Sequence, residues 1–225
     1  DCVGGDPGRH RAHHPQEKLK VRESMFEVAD RLKNVKVSAS AAMTRKVRDL
    51  RAQGVKIVGL SSGEPDFPTP AHAIEAAHAA ALAGETKYPP QDGIKPLKEA
   101  IQRKFKRDND LDYALDEIMV SNGSKQIMYD ALMASVNPGD EVIIPAPGWI
   151  SYADQAVIAG ARPVSVSCPE NNQFKLRAAD LDAAITAKTR WVVLNFPNNP
   201  TGAVCSPAEM RQICDVLMKH PHVLV

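Results

Sequence analysis

An α/β domain with a mostly parallel sheet is the fold class this sequence predicts, on three observations. Short apolar runs such as Glu141-Val142-Ile143-Ile144 and Trp191-Val192-Val193-Leu194 are rich in β-branched residues and bounded by turn residues, as buried strands are. Amphipathic helical stretches alternate with those runs, and each such helix is long enough to return the next strand parallel to the last. The third observation is Asn195-Phe196-Pro197-Asn198-Asn199-Pro200-Thr201-Gly202, which follows the Trp191 run directly. Its prolines lack the ladder donor, so the chain must leave the sheet at the strand's carboxyl end, where open α/β sheets hold ligands.

Taken in order, residues 1–24 are dominated by Gly, Pro, Arg and His without apolar periodicity, and we expect a disordered leader there. His10, His13 and His14 have no carboxylate or cysteine at ligand spacing, so no metal site is expected of them. Met25 is followed at once by an amphipathic pattern of Phe26, Val28, Ala29 and Leu32. Ser38 or Ser40 is placed to cap a helix running to Gly54, with Met43, Val47 and Leu50 on its apolar stripe. Residues 55–60 predict a short strand, and the three prolines of residues 61–70 predict a loop. Thr69 and Pro70 predict the start of an Ala-rich helix that stops at Gly84. After an irregular Tyr88-Pro89-Pro90-Gln91-Asp92-Gly93 comes a helix with Leu97, Ile101 and Phe105 on one face.

From Ile118 strand and helix alternate. Ile118-Met119-Val120 predicts a strand, and Ile127, Met128, Ala131, Leu132 and Val136 mark the helix after it. The Glu141 strand breaks at Pro145-Ala146-Pro147-Gly148-Trp149, and a helix over residues 150–159 leads to a strand at 163–166. A helix over 176–185 precedes the Trp191 strand. Ser206-Pro207-Ala208-Glu209 then carries an N-cap serine, a proline in the first turn and a glutamate three residues past the cap. His222-Val223-Leu224-Val225 predicts a further strand with no covering helix after it, so we expect the first part of a longer protein.

Composition bounds the function. The formal net charge is +1, which gives no reason to expect nucleic acid or an anionic membrane as partner. No apolar run approaches the ~18 residues of a membrane span. Cys2, Cys168, Cys205 and Cys214 are scattered, which fits a reducing compartment and no disulfide framework, and the cytoplasm is the expected location.

Three loops carry the candidate chemistry. Gly123-Ser124-Lys125 opens a helix, where free N–H groups, a hydroxyl and the helix dipole suit a phosphate, although a serine there also serves simply as a cap. The loop has neither a Walker pattern nor Gly-x-Gly-x-x-Gly, which excludes the usual nucleotide cradles. Trp149 past a strand end is either a lid on the core or a flat surface for a ring. Pro197 and Pro200 stiffen the third loop, so that Asn199 holds one orientation.

These stretches resemble the class I/II aminotransferases, enzymes of the aspartate aminotransferase fold that use pyridoxal 5′-phosphate (PLP). Six segments occur in the family's order: Ser62-Gly63-Glu64-Pro65-Asp66-Phe67; Lys87-Tyr88 with Gly93; Ser121-Asn122-Gly123-Ser124-Lys125-Gln126; Pro138-Gly139-Asp140-Glu141-Val142; Pro147-Gly148-Trp149-Ile150-Ser151-Tyr152; and Asn198-Asn199-Pro200-Thr201-Gly202. The wording is most similar to the bacterial aspartate aminotransferase branch. The resemblance implies an N-terminal arm and small-domain segment over 25–66 and an incomplete PLP-binding large domain over 67–225.

It also implies roles. The turn at Gly123, with the amides of Ser124 and Lys125, would hold the cofactor's phosphate; Trp149 would stack on its ring; and Asn199 would donate to its phenolic oxygen. Tyr88 would reach the phosphate of a neighbouring subunit's cofactor, implying a homodimer. Gly63 would present backbone to the substrate carboxylate, and Ser40 would lie near the substrate side chain. The implied partners are an amino acid, aspartate first among them, and a 2-oxo acid. The family's Schiff-base lysine, with its aspartate, tyrosine and arginine partners, would lie beyond Val225, so no catalytic residue is assigned within the chain and this chain alone is expected to be inactive. Gly148, where the branch often carries a bulkier residue, implies a looser ring edge. A carbon–sulfur lyase on the same half-site and a non-catalytic remnant are the alternatives.

Overall fold

The computed structural model describes residues 27–33, 35, 39–60, 63 and 65–225, with the backbone alone at Ala39 and Ser40. Eight helices are assigned among these residues: α1 (Asp30–Lys33), α2 (Ala39–Ala52), α3 (Ala71–Leu82), α4 (Lys95–Asn109), α5 (Ser124–Ser135), α6 (Ser151–Ile158), α7 (Ala178–Ala184) and α8 (Pro207–Leu217). Three strands, β1 (Glu141–Ala146), β2 (Arg162–Ser167) and β3 (Thr189–Val192), form one parallel sheet in the order β2-β1-β3.

The period-2 geometry of a strand sorts the side chains of β1 onto two faces. Ile143 packs with Val166, Val192, Leu181, Ile213 and Val216, so α7 and α8 cover that side. Val142 and Ile144 point the other way, onto Leu132, Val136 and Ala156, under α5 and α6. A parallel sheet covered on both faces needs an unbroken apolar run at its centre, and Val142-Ile143-Ile144 is buried throughout. Fully burying a side chain such as Ile143 contributes roughly 1.5–3 kcal/mol.

Three segments expected as strands are not strands. At residues 55–60 the backbone has no ladder partner among the described residues; Arg51 Nη2 donates to the Ile57 carbonyl, and Val58 and Leu60 are exposed. Residues 118–120 make two backbone bonds, from the Ile118 amide to the Leu115 carbonyl and from the Val120 amide to the Asp92 carbonyl, and neither belongs to a ladder. Near the end, Leu224 forms a single parallel bridge with Trp191. The cap expected of Thr69 is also absent. Helix α3 begins at Ala71 with Pro70 as its cap residue and no side-chain cap bond. Ser40 is the second residue of α2 rather than its cap, and Ser38 lies outside the described residues.

Because β1 and β3 are parallel neighbours, their carboxyl ends open on one rim. The loop through Pro147 and Trp149 leaves from β1, and the loop through residues 195–202 leaves just past β3. Topology alone therefore makes two of the three candidate loops neighbours.

Candidate active site at the carboxyl rim

Helix α5 starts with Gly123 as its cap residue at φ 88° and ψ 167°, a backbone conformation that strains any residue with a Cβ. Ser124 is the first helical residue, so the reading of it as the cap does not hold. The amides of Gln126 and Ile127 both turn back to the Gly123 carbonyl, at 3.1 and 3.3 Å. Those of Ser124 and Lys125 have no acceptor among the described residues and stand free at the positive end of the helix.

Trp149 is half-buried, meets the edge of Tyr152 at 5.2 Å between ring centroids and carries the Lys125 ammonium 5.0 Å from its own centroid. That last contact brings the first and second loops together. Burial raises the pKa of the Tyr152 hydroxyl, which keeps it a proton donor. Gly148 is fitted tightly, since a Cβ there would lie 2.5 Å from the Pro145 carbonyl oxygen. Glycine at this position lets the backbone fold in on itself beside the indole.

Asn198 joins the second loop to the third. Its Nδ2 donates to the Pro147 carbonyl at 3.0 Å and to Thr201 Oγ1 at 2.7 Å. The Asn198 carbonyl accepts the Gly202 amide, and its own amide reaches the Ala203 carbonyl, so the loop closes on this one residue. Asn199, beside it, is exposed and has no side-chain bond among the described residues. The peptide bonds before Pro147, Pro197 and Pro200 are cis. Between the two loops lies a cleft lined by Pro147, Gly148, Tyr152, Phe174, Asn195 and Asn198.

The structure thus brings Gly123, Ser124, Lys125 and Trp149 to one place and ties the loop of Asn199 to it. The remaining candidates stand apart. Tyr88 is fully exposed and touches none of the three loops, Gly63 is exposed with open space around it, and Ser40 is known here as α2 backbone. Sequence reasoning missed Asn198, whose signal was the doubled asparagine. It also missed Gln155, whose Nε2 donates to the Lys125 carbonyl at 2.7 Å and for which no sequence signal exists. Among the described residues no three His, Cys, Asp or Glu side chains gather as a metal would require, and His10, His13 and His14 lie outside them. No helix there is long and apolar enough to cross a membrane.

A helix end with two free amides, an ammonium, a flat indole and an exposed carboxamide can receive a planar ring that bears an anionic group. The residues present therefore fit a phosphorylated aromatic cofactor.

Comparison with known proteins gives the same direction. The family Aminotransferase class I and II matches residues 55–225. The aspartate/prephenate aminotransferase of Cereibacter sphaeroides is 50% identical over 201 residues, covering 89% of this chain and 50% of that protein. The crystal structure of the aspartate aminotransferase from Rhizobium meliloti superposes with a TM-score of 0.84 at 47% identity, covering 88% of this chain and 50% of that one. The Thermus thermophilus aspartate aminotransferase, solved with maleate, gives a TM-score of 0.84 at 39% identity, with 87% and 51% covered. The chain spans about half the length of the curated relatives it matches.

Proposed function

Because the chain belongs to the class I and II aminotransferases, we propose that the whole protein moves an amino group between aspartate and a 2-oxo acid using pyridoxal 5′-phosphate held at this rim. The observation that carries the proposal is the chain of contacts from Lys125 over Trp149 and from Asn198 to Pro147, which draws three separated loops around one small volume. Bound there, pyridoxal phosphate supplies an aldehyde to take the amino group and a ring able to spread carbanion charge.

This chain's residues do the holding. The Ser124 and Lys125 amides bind the phosphate, where the α5 dipole favours an anion and no side-chain ordering is needed. The Trp149 indole would take the ring on its face, with the Lys125 ammonium, 5.0 Å from its centroid, nearby. Asn199 donates from its free carboxamide to the ring's phenolic oxygen and so favours the anionic form of that oxygen. Asn198 keeps Asn199 in place by pinning the loop to the Pro147 carbonyl. Gly63 offers backbone to the substrate carboxylate, and Ser40 lies toward the substrate side chain.

Aspartate as donor is supported by the relatives' names and by the maleate, a dicarboxylate, in the Thermus protein's structure. We further propose a homodimer, in which the uncovered Tyr88 reaches the partner's cofactor phosphate, a cytoplasmic location, and the division of the chain into an arm with a small-domain segment (25–66) and part of the large domain (67–225). The test is to incubate the whole protein with pyridoxal phosphate, aspartate and a 2-oxo acid such as prephenate. Nitrogen recovered in the new amino acid is the expected result. Release of ammonia without a new amino acid overturns transamination in favour of elimination.

A further inference from the structure

We propose that Gln155 is a positioning residue for the phosphate-binding turn, holding the first turn of α5 in register with the Trp149 platform. The inference rests on the reading of that turn as the phosphate site. Gln155 is 7% exposed and lies on α6, the helix that starts just after Trp149 and whose first turn is tied to it by the Tyr152 amide on the Trp149 carbonyl. From there its Nε2 donates across thirty residues of sequence to the Lys125 carbonyl. One side chain therefore joins the helix behind the ring platform to the peptide unit that follows the two free amides.

The orientation of this amide has one solution. Turned over, its Oε1 would face the Lys125 carbonyl oxygen, two acceptors with no proton between them. The chosen orientation leaves Oε1 buried without a partner among the described residues. An orphaned buried acceptor costs at least as much as one ordinary hydrogen bond returns, so the amide is a poor device for stability. An unbranched apolar side chain of the same length would fill the space between α5 and α6 equally well. What such a side chain lacks is the donor that fixes the Lys125 peptide plane, and through it the direction in which the neighbouring amides point.

Substituting Gln155→Met in the full chain separates the two roles. Pyridoxine 5′-phosphate and pyridoxine are suitable probes, because neither carries an aldehyde that would condense with surface lysines, and binding is read by calorimetry. We expect the substitution to weaken pyridoxine 5′-phosphate about tenfold, to leave pyridoxine nearly unchanged, and to leave the thermal midpoint unchanged or raised. Equal weakening of both probes with a lowered midpoint shows a packing residue and overturns the inference, as does no change in either. Should Gln155→Met not fold, Gln155→Glu takes its place. Relative to the unaltered chain at the same pH, its affinity for the phosphate ester should recover as pH falls and the acid regains a proton to donate; a flat ratio overturns the inference. If the unaltered chain does not prefer the phosphate ester over pyridoxine, the phosphate assignment itself fails, a result distinct from any effect at Gln155.

Discussion

Gly123 sits where one backbone angle decides whether two amides face a ligand. At φ 88° and ψ 167° it occupies an extended positive-φ region that an L side chain enters at a cost of roughly 1–3 kcal/mol, with open space around it, so crowding plays no part. Gly123→Ala should therefore lower stability by about that amount in urea titration, and weaken phosphate-ester binding further because the turn relaxes away. An unchanged midpoint would show that the turn tolerates a side chain. The sequence marked this turn and Trp149 as loop positions past apolar runs, although for the indole it left a lid on the core and a flat surface for a ring both open. Asn198 and Gln155 were not legible in it. The first looks the same as Asn199 on paper, and only the fold decides which of the two spends its amide on Pro147. The second acts through a bond between helices, which leaves no periodic or local trace.

Helix α8 shows how a local signal survives into structure. Ser206 Oγ accepts the Glu209 amide at 3.3 Å, and Glu209 returns a bond to the Ser206 amide at 2.8 Å, as the spacing predicted. The Lys175 ammonium also reaches Glu209, at 2.9 Å. The Ser206 backbone bond first, and Lys175 next, hold the Glu209 carboxyl at a pKa of about 2, below its ordinary 4.5. A lowered folded-state pKa means that the unfolded chain takes the proton first. The contribution of Glu209 is therefore complete above pH 4.5 and is lost as pH falls from there toward about 2. Glu209→Gln should flatten the acid limb of stability within that window, measured as urea midpoints across pH; an unaltered limb would contradict the assignment. Helices with caps and strands with two covered faces were legible in this way. The failures were apolar segments judged by composition alone. Residues 55–60 and 118–120 carry strand-like side chains, yet a strand also needs a neighbour, which composition cannot supply.

At the scale of the molecule, residues 124–225 build a covered sheet while α3 and the segments flanking it remain bare. Helix α3 buries none of its residues, and Val58, Leu60 and Phe67 are each more than 80% exposed. Apolar surface of this extent favours association. Sedimentation should show a concentration-dependent rise in mass consistent with the proposed homodimer, and a single monomeric species across the accessible range would count against it. The order of the main helices and of the three paired strands was plain from the sequence, three further expected strands were not formed, and the meeting of three loops that lie between residues 123 and 202 depends on parallel topology. The most direct test of that meeting is a crystal structure of the protein grown with pyridoxal phosphate. A phosphate on the Ser124 and Lys125 amides, a ring against the Trp149 indole and a phenolic oxygen at the Asn199 carboxamide are expected. A cofactor bound elsewhere, or touching one loop without the other two, would contradict that expectation.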